Sequence, residues 1–533
     1  MTYTADPGTT IGHTHLKVSD LDRAIAFYRD VIGLELQQTF GDQAAFMSAG
    51  GYHHHIGLNT WHSRGGPRPA ANATGLFHVA FLYPTRKALA QAVRNVLDMG
   101  VSLTGAADHG VSLALSLMTG VLFVATIAWP MEQRERERQY YAWFLFLEAA
   151  SLGLFLTLDL LVFYVFFDLS LVGMFFLIGR WGHGERQAAA LKFFIYTFVG
   201  SLAILLAIIV LVLRTDPMTF DMRVLIAQQP LAGAGPVATL VFLGFVVGFA
   251  IKAPLFPVHT WLPPAHVNAP GPASAILAGV LLKMGTYGMV RMPLQMMRET
   301  FAAYALPLAV VALASILWGA FVALGQTSIK RRIAYTSVNH MGYAVLGIAA
   351  AGALVAGEEH ARQLALTGAV VEMVAHGLIT GTLFLLAGSI WARADTYEMD
   401  RFGGLAGVAP KLTAATVVAA FASLGLPGLA GFVAEVQIFI GAFAVFPWVA
   451  AVGLVGILIT AALFLTMLRQ VFFGERPVER NAFADVGRVE GAVLLAILAL
   501  VVVIGVYPAW LLDLVNAATD SVVVGTATVA PGG

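Results

Sequence analysis

The sequence predicts a mostly all-α polytopic membrane protein of about 12 transmembrane helices, two of them broken, with a small and incomplete N-terminal α+β domain of the βαβββ type. Of the 533 residues, 58% are hydrophobic and 12% are charged, and the mean hydropathy is +0.78, whereas soluble domains carry about 25% charged residues. Apolar runs long enough to cross a bilayer begin only at Val111. We therefore predict a domain over 1–110, a membrane domain over 111–520 and a tail over 521–533.

The composition also excludes several kinds of chemistry. The formal net charge is zero, so no overall electrostatic attraction points to nucleic acid. The absence of cysteine excludes disulfides, thiolate-bound zinc, iron–sulfur clusters and a cysteine nucleophile. The first residues lack the basic, apolar and small-residue order of a signal peptide. Any chemistry of this chain must therefore use His, Asp, Glu and Lys.

The N-terminal region alternates strands and helices. IGHTHLKVSDLDRAIAFYRDVIGLE indicates a strand and then an amphipathic helix, which Asp20 caps and which carries Leu21, Ile25 and Tyr28 on one side. GDQAAFMSAGGYHHHIGLNTW indicates two strands around a Gly-Gly turn. GLFHVAFLY followed by KALAQAVRNVLDMG then repeats the strand–helix order.

These segments resemble the vicinal oxygen chelate family, the fold of glyoxalases and extradiol dioxygenases, which is built from two βαβββ modules. The resemblance implies that His13 and His78 bind a divalent metal together with a carboxylate from the last strand. That strand should follow ADHGVS, but the sequence continues into LALSLMTG, so the site is incomplete. His53, His54 and His55 are either substitute ligands or a His-rich strand edge without a metal role.

Twelve spans follow from helix geometry, because about 20 apolar residues are needed to cross a bilayer core of about 30 Å. They are predicted at 111–129, 140–158, 160–179, 192–213, 237–257, 273–292, 303–324, 331–352, 363–391, 411–445, 447–470 and 491–514.

Two of these spans are interrupted. Pro254 and Pro257 lie at the end of the fifth span, and Gly425, Pro427 and Gly428 lie within the tenth. Proline removes a hydrogen-bond donor and glycine loosens the helical ladder. Broken backbone inside a membrane is tolerated only against protein or a water-filled cavity, so both interruptions are candidate parts of a transport pathway.

Positive charge predicts the orientation in the membrane. Loops after odd-numbered spans, among them the one with Lys330, Arg331 and Arg332, carry 16 Lys and Arg residues, whereas the other loops carry 5. By the positive-inside rule the first set faces the cytoplasm, and both ends of the membrane region face outside. We expect a multi-pass protein of the bacterial inner (plasma) membrane.

Ionisable side chains lie within the apolar spans. They are Asp168, Lys252, Lys283, His340, His376 and Glu435. A lysine at a helix centre costs about 2.5 to 3.5 kcal/mol, so each needs a partner or water. Some of them taken alone have a structural explanation: a hydrogen-bonded core histidine, a snorkelling Lys252, or a self-satisfied pair of Glu372 and His376. Lys283 and Glu435 are harder to explain in this way, because neither lies near a predicted span end. Taken together and linked by water, they could pass protons through the membrane.

Five stretches then show a family resemblance. FAIKAPLFPVHTWLPPAHVNAPGPASAILAGVLLKMGTYG, SIKRRIAYTSVNHMGYAVLG, MVAHGLITGTLFLLAG, RFGGLA and SLGLPGLAGFVAE resemble the antiporter-like M subunits of the proton-pumping NADH:quinone oxidoreductase, respiratory complex I. The resemblance implies a proton-translocating subunit without a cofactor or redox centre in its membrane domain. Its implied partners are the other membrane-arm subunits, through which alone it reaches quinone and NADH.

The resemblance also implies a role for each ionisable residue. Asp168 takes the place of the fifth-helix carboxylate, and Lys252 on the broken seventh helix is its salt-bridge partner. Lys283 is the central lysine of the eighth helix.

His340 and His376 continue the hydrophilic axis, and Glu435 on the broken twelfth helix is the proton-exit carboxylate. The chain departs from the family pattern in having Asp168 instead of Glu, Pro264 and Asn268 at commonly acidic positions, and two helices fewer than the family's fourteen.

The two resemblances meet at GVS, which fits both families, with no linker between them. We therefore hypothesise a chimeric fusion of two unrelated reading frames. Two other functions remain open: a subunit of a multi-subunit sodium/proton antiporter, or a metal-dependent dioxygenase or glyoxalase-like enzyme in the N-terminal domain.

Overall fold

The computed structural model describes residues 13–67, 81, 83, 86–99, 110–130, 135–233, 235–475, 477–480 and 482–524. The chain forms two compact units, residues 1–106 and 107–533.

The N-terminal unit contains a four-stranded sheet. Its elements are β1 (Thr14–Lys17), α1 (Leu21–Ala26), β2 (Glu35–Phe40), β3 (Ala44–Ser48), β4 (Ile56–Asn59) and α2 (Arg86–Asp98). The strand order is β1-β4-β3-β2, with β1 and β4 parallel and the other pairs antiparallel. This is one βαβββ module, and Asp20 caps α1 by accepting from Arg23 N at 3.0 Å, as predicted. The strand predicted to carry His78 lies outside the described residues.

The membrane unit is helical. Its first helices are α3 (Gly110–Ala128), α4 (Glu137–Leu156), α5 (Leu160–Trp181), α6 (Arg186–Val212), α7 (Met222–Gln228), α8 (Pro236–Lys252), α9 (Leu262–Asn268), α10 (Gly271–Ile276) and α11 (Leu282–Met289). The remaining helices are α12 (Arg298–Leu324), α13 (Ile329–Gly352), α14 (Glu359–Ala394), α15 (Pro410–Ser423), α16 (Ala430–Val445), α17 (Pro447–Phe472), α18 (Arg488–Val506) and α19 (Ala509–Val524). A π-helical turn, Leu277–Leu281, joins α10 to α11.

Among the described residues, eight helices or joined helices are long and apolar enough to span a membrane, and α8 and α16 are shorter apolar helices. The last predicted span, 491–514, is wrong in its bounds. Helix α18 ends at Val506 and α19 begins at Ala509. Pro508 separates them because proline lacks the N–H donor and disfavours helical backbone in the residue before it.

Burial divides the helices into a central and an outer group. The most apolar windows of Gly271–Leu294 and of α14 are buried throughout, whereas those of α5 and α6 are each 44% buried. An apolar helix that is exposed on one side faces lipid, and one that is buried all round lies in the core. The predicted ionisable groups Lys283 and His376 therefore lie on the two central helices.

The first interruption follows Lys252, the last residue of α8. Non-helical turns continue to Trp261, and α9 begins at Leu262. Side chains satisfy the released backbone groups, because Ser315 Oγ accepts from Phe256 N at 2.9 Å and Trp261 Nε1 donates to Ile251 O at 2.9 Å.

The second interruption lies between α15 and α16. Gly425 and Gly428 have φ values of 75° and 90°, a region that favours glycine, and Pro427 lies between them. At Gly425 a Cβ atom would collide with the carboxylate of Glu435, whereas at Gly428 it would meet open space. The glycine at 425 therefore allows the acid to lie against the broken backbone.

The prediction that Lys330 and Arg332 belong to a loop is wrong. Both belong to the first turns of α13 and are buried, with relative exposures of 0% and 3%. Arg332 donates to the carbonyl oxygens of Leu463, Leu324 and Gln326 at 3.0, 3.1 and 2.7 Å. Its charge thus joins the end of α12 to α13 and α17.

Candidate functional site: a buried row of titratable groups

The centre of the site is a contact between two helices. Lys283 on α11 and His376 on α14 are buried, and Lys283 Nζ lies 2.6 Å from His376 Nδ1. Lys283 Nζ also donates to the carbonyl oxygen of Ala278, in the π-helical turn that joins α10 to α11. Such turns are frequent at functional sites because they alter the helical ladder locally. The lysine and the histidine are thus at a distance that allows direct proton transfer.

The row continues through a second histidine. The ring centroids of His376 and His340 are 5.3 Å apart. His340 Nδ1 lies 3.1 Å from Glu372 Oε1, and its Nε2 lies 3.1 Å from Ser423 Oγ. Sequence spacing suggested a pair of Glu372 with His376, four residues later, but the carboxylate of Glu372 contacts His340 on α13 instead.

Glu435 ends the row beside the second interruption. Its carboxylate lies against Gly425, and Glu372 and Tyr343 interact with it electrostatically. Ser423, which contacts His340, is the last residue of α15, two residues before Gly425. The interruption therefore brings the histidine side of the row close to Glu435.

The Asp168–Lys252 part of the site differs from the expected salt bridge. Lys252 Nζ donates to Ser170 Oγ at 3.2 Å and lies 4.9 Å from the ring centroid of Phe167. Among the described residues, Asp168 and Lys252 form no ion pair within 4.0 Å, although they interact electrostatically. Asp168 Oδ1 is buried and has no hydrogen-bond partner in the described part of the chain. The carboxylate interacts instead with the hydroxyl groups of Ser201 and Tyr164, while the ammonium group is held by Ser170.

Lys252 and Lys283 lie on directly packed elements. A Cβ atom at Gly285 would lie 2.7 Å from both Ala253 N and Phe249 O, so α11 contacts the end of α8 backbone to backbone. Gly285 follows Lys283 by two residues, and Ala253 directly follows Lys252. This close approach places both lysines within the same part of the helix bundle.

Sequence reasoning missed His266, Lys330 and His183. His266 on α9 is completely buried, its ring is stacked on Phe384 with centroids 4.2 Å apart, and neither ring nitrogen has a hydrogen-bond partner among the described residues. Both Lys283 and Lys330 interact electrostatically with His266. The available signal was a lone histidine in PAHVNAP, between the interruption and the next helix.

His183 connects this group to the loop between α5 and α6. Its ring is stacked on Trp391 with a centroid distance of 4.4 Å. Burial, and secondarily the charge of Lys330, lowers the pKa of His183 to about 4. Asn268 holds this loop in place, because its carbonyl oxygen accepts from His183 N at 2.8 Å. This contact uses the backbone of Asn268, so it does not depend on the side chain by which the chain departs from the family pattern.

A second candidate site lies in the N-terminal unit. His13, His53 and His54 each direct one ring nitrogen into a group whose members lie within 4.8 Å of one another. Burial, and then the charges of neighbouring histidines, lowers the pKa of His54. His55, the other candidate in the triplet, accepts from Ala49 N at 3.3 Å through Nδ1. His78 lies outside the described residues.

Comparisons with known proteins identify the family of the membrane unit. Residues 157–460 match the family described as NADH:quinone oxidoreductase/Mrp antiporter, TM. The chain belongs to this family. NADH-quinone oxidoreductase subunit M of Rhodobacter capsulatus is 39% identical over 421 residues, which are 76% of this chain and 79% of that protein. NAD(P)H-quinone oxidoreductase chain 4 1 of Nostoc sp. is 37% identical over 426 residues, 78% of this chain and 76% of its own length.

Solved structures show the same fold for this NADH:quinone oxidoreductase/Mrp antiporter family member. A chain of respiratory complex I from Thermus thermophilus has a TM-score of 0.71 and 32% identity, covering 78% of this chain and 84% of that one. A chain of the Mrp complex from Dietzia sp. has a TM-score of 0.68 and 22% identity, with 79% and 84% covered, and supports the fold alone.

Residues 10–118 match the Glyoxalase/Bleomycin resistance protein/Dioxygenase superfamily. Both predicted resemblances are therefore confirmed. The glyoxalase match ends later than the predicted domain boundary at residue 110, inside α3, and does not overlap the membrane-family match.

Proposed function

We propose that this chain is a proton-translocating membrane subunit of an NADH:quinone oxidoreductase. Protons move along Lys283, His376, His340 and Glu372 toward Glu435. The observation that carries the proposal is the row of short contacts from Lys283 Nζ to Glu372 Oε1 through two histidines. The other membrane-arm subunits are its partners, and electron transfer takes place elsewhere in the complex.

The first step uses the 2.6 Å contact. Protonated Lys283 gives a proton to His376 Nδ1, leaving a neutral amine and an imidazolium. The imidazolium releases its other proton from Nε2, which has no hydrogen-bond partner among the described residues, and water carries that proton to His340. His340 then passes one proton to Glu372, and the electrostatic link between Glu372 and Glu435 directs it onward to the exit carboxylate.

Asp168 and Lys252 control the start of this sequence. When the Asp168 carboxylate moves toward Lys252, it stabilises the charged ammonium group. When the carboxylate moves away, the positive charge of Lys252 acts more strongly on Lys283. A positive field favours release of a proton from Lys283. The observed arrangement, in which Lys252 contacts Ser170 and forms no ion pair with a described carboxylate, corresponds to the separated state. His266, near both Lys283 and Lys330, is a reloading group for Lys283.

Replacement of the central lysine tests the proposal. Lys283→Met keeps much of the side-chain volume and removes the transferable proton. In the assembled complex, reconstituted in proteoliposomes, we expect NADH-driven proton translocation to fall by at least tenfold while the subunits still co-purify. Lys411→Met, at an exposed lysine at the start of α15, is the matched control. Normal pumping by Lys283→Met would refute the proposal, and sodium exchange without NADH would favour the antiporter alternative.

The histidine group supports a second proposal, a divalent-metal site in the N-terminal unit. Neutral imidazoles bind iron, nickel, copper and zinc, and three of them leave coordination positions open for water or substrate. His13, His53 and His54 would hold the ion, which would supply Lewis-acid chemistry to a bound oxygen ligand. The full-length protein should then contain close to one equivalent of such a metal. If the protein binds none of iron, nickel and zinc when each is supplied separately, the site is refuted.

A further inference from the structure

A cavity of about 630 Å³ lies among the ends of α4, α5 and α6. Its polar wall contains Arg136, Arg180 and Arg186, with Glu135 as its one carboxylate. Three guanidinium groups against one carboxylate leave a local charge of about +2. None of the three arginines forms an ion pair with another described residue. The cavity is therefore a concave site whose described lining residues carry an excess of positive charge.

The arginine wall is held by defined contacts. Arg186 Nη1 donates to the carbonyl oxygens of Arg180 and Gly182 at 3.0 and 3.1 Å, at the C-terminal end of α5. The buried Trp181 donates from Nε1 to Glu135 O at 2.9 Å and so fixes the segment that carries Arg136 against α5. Two arginines from α5 and α6 and one from the start of α4 thus converge on the same space.

Apart from Gln187, the rest of the described wall is mostly apolar, and part of it faces lipid. Phe175, Phe176 and Leu191 line the cavity, and Leu191 is 51% exposed. Helices α5 and α6 are only 44% buried over their most apolar windows. Trp181 and the neighbouring Tyr140, Tyr141 and Trp143 give this end of the helices the aromatic side chains that are typical of a membrane interface.

We propose that this cavity binds the headgroup of an anionic phospholipid. The guanidinium groups bind the phosphate and the phenylalanines contact the start of an acyl chain. Arg forms charge-assisted and bidentate hydrogen bonds with phosphate oxygens. Basic pockets between transmembrane helices on the cytoplasmic side are suited to anionic lipid headgroups, and the loop between α5 and α6 is on the predicted cytoplasmic side. A free phosphate ion would use the arginines and leave the apolar wall unused.

Lipid retention by the intact complex tests this proposal. The purified complex is exchanged into phosphatidylcholine nanodiscs that contain increasing fractions of phosphatidylglycerol. Native mass spectrometry then measures the phosphatidylglycerol that the complex retains after detergent extraction. We expect Arg180→Gln combined with Arg186→Gln to lower apparent affinity at least tenfold. Arg214→Gln, an exposed arginine in the loop after α6, should leave it unchanged.

Arg136→Gln provides a second variant, because its side chain makes no hydrogen bond to another described residue. It should lower the affinity for phosphatidylglycerol several-fold. The thermal midpoint of the complex should stay unchanged, which would show that the fold is intact. Equal retention by all variants would overturn the proposal. Saturable binding of inorganic phosphate with the same affinity as the lipid would show an anion site only. Cross-linking of an acidic segment of a neighbouring subunit into the cavity would show a protein interface. Either result would overturn the proposal of a lipid site. Proton pumping by these variants is a separate readout and does not decide this question.

Discussion

The two interrupted helices use the same backbone device around opposite charges. Lys252 is the last residue of α8, where the carbonyl end of a helix favours a cation, whereas Glu435 is the sixth residue of α16, beyond its first turn. The first interruption leaves its lysine with a hydroxyl group and a phenyl ring, whereas the second holds its acid against a glycine. The groups that surround each break therefore decide how tightly its charge is held.

The largest effect is expected from crowding the second break. Gly425→Ala puts a Cβ atom into the Glu435 carboxylate and also strains a positive φ, a backbone cost of about 1 to 2 kcal/mol before the collision is counted. Gly428→Ala has the same kind of φ but open space, so it measures the backbone cost alone. We expect proton pumping per assembled complex to fall much more in Gly425→Ala. Equal losses in the two variants would show that the contact with Glu435 is unimportant.

The first break should respond to the length of its acid. Asp168→Glu lengthens the side chain by one methylene and should bring the carboxylate closer to Lys252, whereas Asp168→Asn removes the charge. We expect Asp168→Asn to lower the pumping rate several-fold and Asp168→Glu to retain or increase it, measured in proteoliposomes at equal subunit content. If Asp168→Asn pumps normally, the electrostatic link to Lys252 does not control the row.

The N-terminal histidines provide a contrast with those of the membrane, since they have no lysine or carboxylate in their group. His53→Ala should lower the metal content of the full-length protein at least tenfold, and His62→Ala, an exposed histidine outside the group, should leave it unchanged. Elemental analysis of the purified protein measures both. Equal metal content in the two variants would remove His53 from the site.

A smaller effect is expected from pH. The pKa of His54 is lower in the folded state than its ordinary value of about 6.5, so the unfolded state binds the proton more readily. The free energy of unfolding of the N-terminal unit should therefore be constant above pH 6.5 and decrease as the pH falls below it. His54→Gln should flatten this decrease, as followed by amide hydrogen exchange in β4. An unfolding free energy that rises on acidification would contradict the sign of this shift.

Much of the membrane site was predictable, because an ionisable residue inside an apolar run is conspicuous. Lys283, His376 and Glu435 were identified in this way, and their surroundings explain why each is tolerated. Lys330 was misassigned because a lysine at the start of a span has the same sequence pattern as a loop charge. Only tertiary packing shows that its ammonium group is buried against Ala269 and Tyr397.

Partner choice was harder to predict than position. The spacing of Glu372 and His376 favours a contact within one helix, yet His340 on α13 approaches the acid more closely. His266 was missed because α9 is short and follows an irregular segment, where helical periodicity carries little information. The Pro508 boundary was missed because the apolar run continues through it. In each case, long-range packing decided between locally similar alternatives.

The most direct test of the central claim compares conservative variants at two separate groups of the row. Proton translocation rates are measured for Lys283→Arg, Glu372→Asp and the double variant in the same reconstituted complex. If the groups form one serial path, the slower step limits the rate, so the double variant should pump nearly as fast as the slower single variant. A double-variant rate equal to the product of the two single-variant fractions would mean that Lys283 and Glu372 act independently, which would contradict a single proton path.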